Sequence, residues 1–217
     1  MAGLSGQIGG KEQTVEERKV PAEKIKIRTH YGGCPVRVLT PAGAGSWPAV
    51  IFHMDGLGIR PAATEMANRL SQAGYVVLLP DLFYRFHPYT PFVPKEVFAG
   101  DFRALVGALM STTGNDKAAE DTGVFFAYLD SRDDTAGSKI GAVGFCTGGG
   151  MAIAAAGTYP DRFTAVASFH GGNLATDEPT SPPLFASKLK ARIYIAAADQ
   201  GWREMFQLAS NGFQEDD

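Results

Sequence analysis

The chain has 217 residues, of which 45% are hydrophobic and 20% are charged, and its formal net charge is −3. This length is enough for one hydrophobic core and fits two domains poorly. The slight negative charge gives no electrostatic reason to expect nucleic acid or an anionic membrane as a partner. No apolar run reaches the ~18 residues that a membrane-spanning helix needs, so we expect neither partner.

The N-terminal stretch and the cysteines bear on domain organisation and location. Residues 1–23 are rich in glycine and charged side chains and have no apolar core of a secretory signal, so we predict a loose extension. A single domain is expected over residues 24–217. Cys34 and Cys146 are too few for a secreted disulfide framework, and we therefore predict two free thiols in a reducing, cytoplasmic setting.

Short apolar runs alternate with helical patterns along the chain. The predicted strands cover residues 24–29, 36–39, 49–52, 75–79, 139–143, 164–169 and 191–197. The predicted helices cover residues 61–73, 102–110, 117–129 and 149–157. A long loop rich in aromatic residues and proline is expected over 83–94. The alternation predicts an α/β fold with a mostly parallel sheet, helices on both faces, and a functional site at the carboxyl ends of the strands.

The most informative motif is Gly-Phe-Cys-Thr-Gly-Gly at residues 144–149, between an apolar run and an alanine-rich run. Small residues on both sides of Cys146 are typical of a sharp strand–turn–helix connection that lifts one side chain out of the fold. A thiol there would lie beside the positive end of a helix, which favours the reactive thiolate and predicts a nucleophile for acyl transfer. The alternative is an inert, buried cysteine in an ordinary glycine-rich turn.

Two backbone amides are candidates for an oxyanion hole beside Cys146. One belongs to Thr147, the residue after the nucleophile, and the other to Gly56, in the loop that follows the third predicted strand. The alternative for Gly56 is an ordinary turn between a strand and a helix. Asp55, in the same loop, could hold the thiol neutral until substrate arrives or could cap the following helix, and both interpretations stay open.

Three further side chains could border a substrate pocket. Arg85 follows a predicted strand and could fork onto a substrate carboxylate, although an ion pair at the surface with Asp81 is the favoured interpretation from the residues alone. Tyr84 could wall an apolar pocket or pack within its own loop. His170 follows the strand at 164–169, where it could border the pocket, act as a base or be a structural residue.

Four stretches resemble the dienelactone hydrolase family of α/β-hydrolases, namely residues 53–58, 73–85, 143–149 and 168–172. The resemblance implies an α/β-hydrolase-like three-layer sandwich. It also implies hydrolysis of small ester or lactone substrates by a Cys-His-Asp triad, with no metal and no cofactor. In the family's pattern Cys146 is the nucleophile, Asp55 is an acidic residue of the active site, and Arg85 is the arginine that faces the substrate.

The C-terminal part of the sequence departs from the family's pattern. Asp199 is the nearest candidate for the acid of the triad, although the alignment could instead place Gly201 at that position. The triad histidine normally follows well beyond it, and residues 202–217 match nothing in the family's pattern. We therefore expect the last strand and helix of the fold to be missing and catalysis to be impaired, with His170 as the one plausible substitute base.

Two other functions stay open. The first is a non-catalytic α/β-hydrolase-like protein that keeps the pocket and binds a small molecule without turnover. The second is a relative of the serine esterases in which cysteine replaces serine. The natural substrate and the oligomeric state are not indicated by any pattern in the sequence.

Overall fold

The computed structural model describes residues 21–86 and 88–196, apart from the side chains of Phe98, Phe102 and Arg103. The strands in this part of the chain are β1 (Glu23–Thr29), β2 (Gly32–Leu39), β3 (Ala49–His53), β4 (Val76–Pro80), β5 (Ile140–Phe145), β6 (Phe163–Phe169) and β7 (Arg192–Ala196). The helices are α1 (Pro61–Gln72), α2 (Pro94–Ala99), α3 (Phe102–Met110), α4 (Asn115–Asp130) and α5 (Thr147–Thr158). A short 3-10 helix, Pro182–Phe185, lies between β6 and β7.

The strands form one sheet in the order β1-β2-β4-β3-β5-β6-β7. β2 is antiparallel to both β1 and β4, and the other neighbouring pairs are parallel. From β3 the chain moves to β4 on one side, whereas from β5 it moves to β6 on the other side. The carboxyl ends of β3 and β5 therefore flank the crevice in which open α/β sheets bind their ligands.

Helices cover the sheet on both faces. The backbone of Gly144 in β5 lies so close to Gly148 that a Cβ at Gly144 would overlap it, and this places α5 against one face. On the other face, Leu70 of α1 borders a surface to which β5 and β6 contribute residues that include Val143 and Ala167. The mixed sheet with helices on both faces confirms the predicted fold class.

A row of aromatic rings runs across the α1 face of the sheet. Phe145 stacks on Phe52 and on Phe169, with ring centroids 5.2 and 5.1 Å apart. Tyr194 of β7 continues the row, 5.6 Å from Phe169, and is 59% exposed. Phe145 and Phe169 are the last residues of β5 and β6, so the stack fixes the two strand ends from which candidate site residues emerge.

The predicted strands and helices are all present with similar bounds, except that β2 begins earlier, at Gly32. The sequence analysis missed α2, because Pro94 was taken as the end of a loop although it begins a helix, as proline at a first helical position often does. β1 begins at Glu23. The expected loose extension and the expected missing C-terminal elements concern residues 1–20 and 197–217, which lie outside the described residues. Across the described residues, the helices are too short or too polar to cross a membrane.

Candidate active site

Cys146 lies at the junction between β5 and α5, and its thiol is free and partly exposed. Its backbone has φ 53° and ψ −125°, a conformation that costs a residue other than glycine on the order of 1–3 kcal/mol. The Cys146 N–H donates to the Phe169 oxygen at 3.1 Å, and the Gly172 N–H donates to the Cys146 oxygen at 2.7 Å. Hydrogen bonds to the β6 side of the sheet thus hold this strained turn in place.

Close backbone contacts explain the small residues around the turn. A Cβ on Gly144 would overlap the carbonyl of Gly148 one turn ahead, so the chain can reverse this sharply only with glycine there. A Cβ on Gly148 would overlap the carbonyl oxygens of His53 and Met54. The first turn of α5 therefore touches the end of β3 at backbone distance, and this contact sets the loop after β3 beside the thiol.

The elbow and the loop after β3 line a cavity of about 560 Å³, which is within the usual size of a small-molecule site. Its lining residues in the described part of the chain are Asp55, Gly56, Leu57, Arg60, Pro94, Cys146 and His170. The structure thus brings together four of the residues singled out from the sequence. Arg60 and Pro94, which the sequence analysis did not single out, complete the wall.

The two predicted oxyanion donors belong to the elbow and to the loop after β3. Thr147 is the first residue of α5, where backbone N–H groups have no partner within the helix. Gly56 lines the cavity from the loop after β3. Both positions match the geometry in which one donor follows the nucleophile and the other comes from an earlier strand end.

Asp55 forms an ion pair that the sequence analysis missed. Arg60 donates from Nη1 to Oδ1 and from Nη2 to Oδ2 of Asp55, at 2.6 and 2.7 Å. The Leu57 N–H also donates to Oδ1, at 3.0 Å. The side chains of Arg60 and Asp55 are only 17% and 15% exposed. Asp55 does not cap α1, because the residue before that helix is Arg60 and no side chain caps it.

His170 lines the cavity from the end of β6. Its backbone is also left-handed, with φ 40°, and its N–H donates to the Ala196 oxygen at 2.5 Å. Two of the three residues other than glycine with positive φ in the described chain, Cys146 and His170, therefore face one cavity, a pattern typical of functional sites. The predicted triad acid, Asp199, lies outside the described residues.

Arg85 and Tyr84 are not among the described residues that line this cavity. The Arg85 guanidinium donates to Asp121 of α4 at 2.9 Å, and the side chains are 7% and 1% exposed. Tyr84 donates to the same carboxylate at 2.9 Å. Arg85 also lies 4.3 Å from the centroid of the Tyr31 ring and 4.7 Å from that of Tyr84. The ion pair is thus buried and its partner is Asp121, which corrects the predicted surface pair with Asp81, while the contact with a substrate carboxylate stays a prediction.

Two further ionisable groups are buried and uncharged near neutral pH. Burial lowers the pKa of His53 to about 4, so this imidazole at the end of β3 is neutral. Burial raises the pKa of the Cys34 thiol, which keeps it protonated and inert. In the described part of the chain, no cluster of three or more His, Cys, Asp or Glu side chains could hold a metal ion.

A mostly parallel sheet with an elbow after β5 and a second loop after β3 is the arrangement of the α/β-hydrolases. Residues 34–205 match the family model described as "Dienelactone hydrolase family". Because this match spans most of the 217 residues, the chain belongs to the dienelactone hydrolase family.

Known relatives agree with this assignment. The chain is 29% identical over 145 residues to a carboxymethylenebutenolidase of Rhodococcus opacus, covering 66% of this chain and 52% of that protein. It is 32% identical over 123 residues to a carboxymethylenebutenolidase homolog of Mus musculus, covering 56% and 45%. A crystal structure of dienelactone hydrolase from Anabaena variabilis shares the fold, with a TM-score of 0.60 at 22% identity, covering 89% of this chain and 80% of that one. The chain spans about half to three fifths of the length of curated relatives that it matches.

Proposed function

We propose that this protein is a carboxylic ester or lactone hydrolase that uses Cys146 as its nucleophile. The observation that carries the proposal is a free, partly exposed thiol on a strained strand–helix turn that opens into a cavity of small-molecule size. Membership of the dienelactone hydrolase family and the names of the relatives support the same reaction class.

The proposed reaction has two steps. In the first, the Cys146 sulfur forms a bond to the acyl carbon, the bond from that carbon to the alcohol oxygen breaks, and the thiol proton ends on the departing oxygen. In the second, water adds to the thioester carbon, the carbon–sulfur bond breaks, and an acid and the free thiol are produced. With a lactone, the departing oxygen stays in the same molecule as the acyl group.

Backbone amides would stabilise the negative oxygen in both tetrahedral intermediates. We assign this role to the N–H groups of Thr147, the residue after the nucleophile, and of Gly56, in the loop after β3. Removing one donor of an oxyanion hole typically costs about 10²–10³ in rate. The close contact of Gly148 with the backbone of His53 and Met54 supports this assignment, because it packs the first turn of α5 against the end of β3, where the loop with Gly56 begins.

His170 is the proposed proton carrier in the described part of the chain, where it is the histidine that lines the cavity. Within residues 21–86 and 88–196, however, no carboxylate hydrogen-bonds to its ring. An imidazole without such a partner is poorly oriented as a base, and triad enzymes lose several orders of magnitude without that partner. We therefore propose that acylation is faster than deacylation and that overall turnover is slow.

The two free cysteines support a reducing compartment, and we propose the cytoplasm. A thiol nucleophile would lose its function if it were oxidised to a disulfide or a higher oxidation state. The proposed partner is a small ester or lactone.

The proposal is tested with p-nitrophenyl acetate, which releases a coloured product on acylation. Wild-type protein should release a burst of p-nitrophenolate close to one equivalent, followed by a slow phase. Cys146→Ala should give no burst, and Cys34→Ala, which removes the buried thiol instead, should retain it. Binding of small esters without any burst would instead favour a non-catalytic binding protein.

A further inference from the structure

A second cavity, of about 330 Å³, lies where α4 begins. Its wall comes from the start of α4 and from the loop after β6, and it shares no described lining residue with the cavity at Cys146. Its volume is in the range of small-molecule sites. We propose that this second cavity binds a small uncharged molecule that carries several hydroxyl groups, such as a polyol or a monosaccharide. This site is separate from the proposed reaction at Cys146.

Three side-chain oxygens in the wall of this cavity are buried and have no hydrogen-bond partner within the described chain. They are Oγ1 of Thr113, Oδ1 of Asn115 and Oγ1 of Thr180. Asn115 as a whole is only 6% exposed. Buried polar atoms in folded proteins almost always have a partner in the protein, a ligand or ordered water. Three such oxygens around one cavity therefore point to a molecule that supplies the missing hydrogen bonds.

The Asn115 side chain can turn only its oxygen towards a ligand. Its Nδ2 donates to the Asn173 carbonyl oxygen at 3.0 Å. An amide turned the other way would place two acceptor oxygens against each other. Asn115 Oδ1 therefore needs a donor from the cavity, whereas the hydroxyls of Thr113 and Thr180 can each donate or accept a hydrogen bond.

The start of α4 supplies donors to the same space. The Ala118 N–H donates to the Gly114 oxygen at 3.0 Å, as the fourth residue of this 16-residue helix. The N–H groups of residues 115–117 come before it and have no partner within the helix, and Gly114, the N-cap residue, has no side chain to cap them. Residues 114–117 all line the cavity. The ligand thus needs acceptors as well as donors, and a hydroxyl group combines the two.

Charges of both signs border the cavity, and this favours an uncharged ligand. Asp116 and Glu178 bring carboxylates, and Lys117 brings an ammonium group that donates to the Ser111 oxygen at 3.3 Å. An anion such as phosphate would meet the two carboxylates. A divalent cation would meet Lys117 and the positive end of the α4 dipole. Hydroxyl groups carry no charge and can donate to the carboxylates.

Both walls are held by their own hydrogen bonds, so the cavity is formed before a ligand arrives. In the loop after β6, the Thr176 N–H donates to Ser181 Oγ and the Ser181 N–H donates to the Glu178 oxygen, both at 2.9 Å. The hydrogen bond between Asn115 and Asn173 links this loop to α4. A preformed site loses little conformational entropy on binding, which favours a small ligand with few contacts.

The test is an NMR titration of isotope-labelled protein with glycerol, D-glucose and myo-inositol. At least one of these compounds should bind saturably and shift the side-chain amide signals of Asn115 and the backbone signals at the start of α4. Sodium phosphate and calcium chloride, the charged comparators, should cause no saturable shift there. If no polyol or sugar shifts these signals saturably, water alone satisfies the three oxygens and the proposal is wrong. A saturable phosphate or calcium site at the same residues would overturn it as well.

Variants of similar shape test whether the unpartnered oxygens hold the ligand. Thr113→Val and Thr180→Val each remove one hydroxyl and keep Asn115 in place, so each should weaken binding by about three- to tenfold, the effect of one lost hydrogen bond. Thr112→Val is the matched control, because the Thr112 hydroxyl already donates to the Leu109 oxygen at 2.7 Å, and it should bind as wild type does. The two test positions lie on different walls, so either variant decides the matter if the other fails to fold. Wild-type affinity in the folded variants would refute the site.

The Cys146→Ala variant separates the two cavities. The polyol or sugar should bind this variant as tightly as it binds wild type, because Cys146 lines the other cavity. Loss of binding in folded Cys146→Ala would place the ligand beside the thiol and overturn the proposal.

Discussion

Replacing Arg85 with alanine distinguishes a structural role for this side chain from a role in substrate binding. Arg85 and Asp121 are 7% and 1% exposed and lie 2.9 Å apart. Removing one partner of such a pair costs about 3–5 kcal/mol, because the remaining charge stays buried without compensation. Burial already raises the pKa of Asp121, and Arg85 opposes that rise. The Arg85→Ala variant therefore leaves the Asp121 carboxylate buried without the positive charge that stabilises it.

The assay is thermal and urea unfolding of the folded protein. For a chain of this size, each kcal/mol shifts the melting temperature by roughly 2–4 °C, so Arg85→Ala should melt roughly 6–20 °C below wild type. Arg69→Ala is the matched control, since Arg69 is 67% exposed and lies 3.7 Å from Glu65 across one turn of α1. Such helix-surface pairs contribute only about 0.3–0.5 kcal/mol.

The double variant Arg85→Leu with Asp121→Leu sharpens the test. It should be more stable than Arg85→Leu alone, because no charge is then left buried in the cluster. If Arg85→Ala loses as little stability as Arg69→Ala, and if it slows acylation by anionic esters only, the structural role is refuted. Arg85 would then contact the carboxylate of the substrate instead.

Three further outcomes follow from the buried groups and close contacts. Because the pKa of His53 is lowered to about 4, stability present above about pH 6.5 should be lost as the pH falls towards 4, by up to about 3 kcal/mol. Urea unfolding should show this loss in wild type and not in His53→Gln, and identical profiles would contradict it. Gly148→Ala should lower stability by about 1–3 kcal/mol and slow acylation, since its Cβ would overlap backbone. Gly107→Ala, where a Cβ meets nothing within 4 Å, should cause neither change, and equal effects in the two variants would count against the close contact. Iodoacetamide should modify Cys146 in the folded protein and spare the fully buried Cys34, a pattern that peptide mapping would show or exclude.

Much of the fold could be predicted because its signals are local. β3 and β4 are buried along their whole length, so their apolar runs match the pattern of central parallel strands. The motif around Cys146 predicted a sharp turn, and the structure places a left-handed residue there. α2 was missed because Pro94 signals a loop end as well as a helix start.

The pairings of charged residues were harder to predict from the sequence. Asp121 lies 36 residues after Arg85, on a different element, so local spacing pointed to the nearby Asp81 instead. The Asp55–Arg60 pair spans a short turn, and the same spacing is common among exposed charges. That pair lines the same cavity as Cys146 because the end of β3 packs against the first turn of α5, as the overlap at Gly148 shows.

The measurement that tests the central claim most directly is peptide mapping of the acylated protein. Wild-type protein is mixed with p-nitrophenyl acetate, quenched in acid within the burst, digested and analysed by mass spectrometry. The account predicts one acetyl group, on Cys146, and an unmodified Cys34. An acetyl group on another residue, or a burst with Cys146 unmodified, would contradict the assignment of Cys146 as the nucleophile.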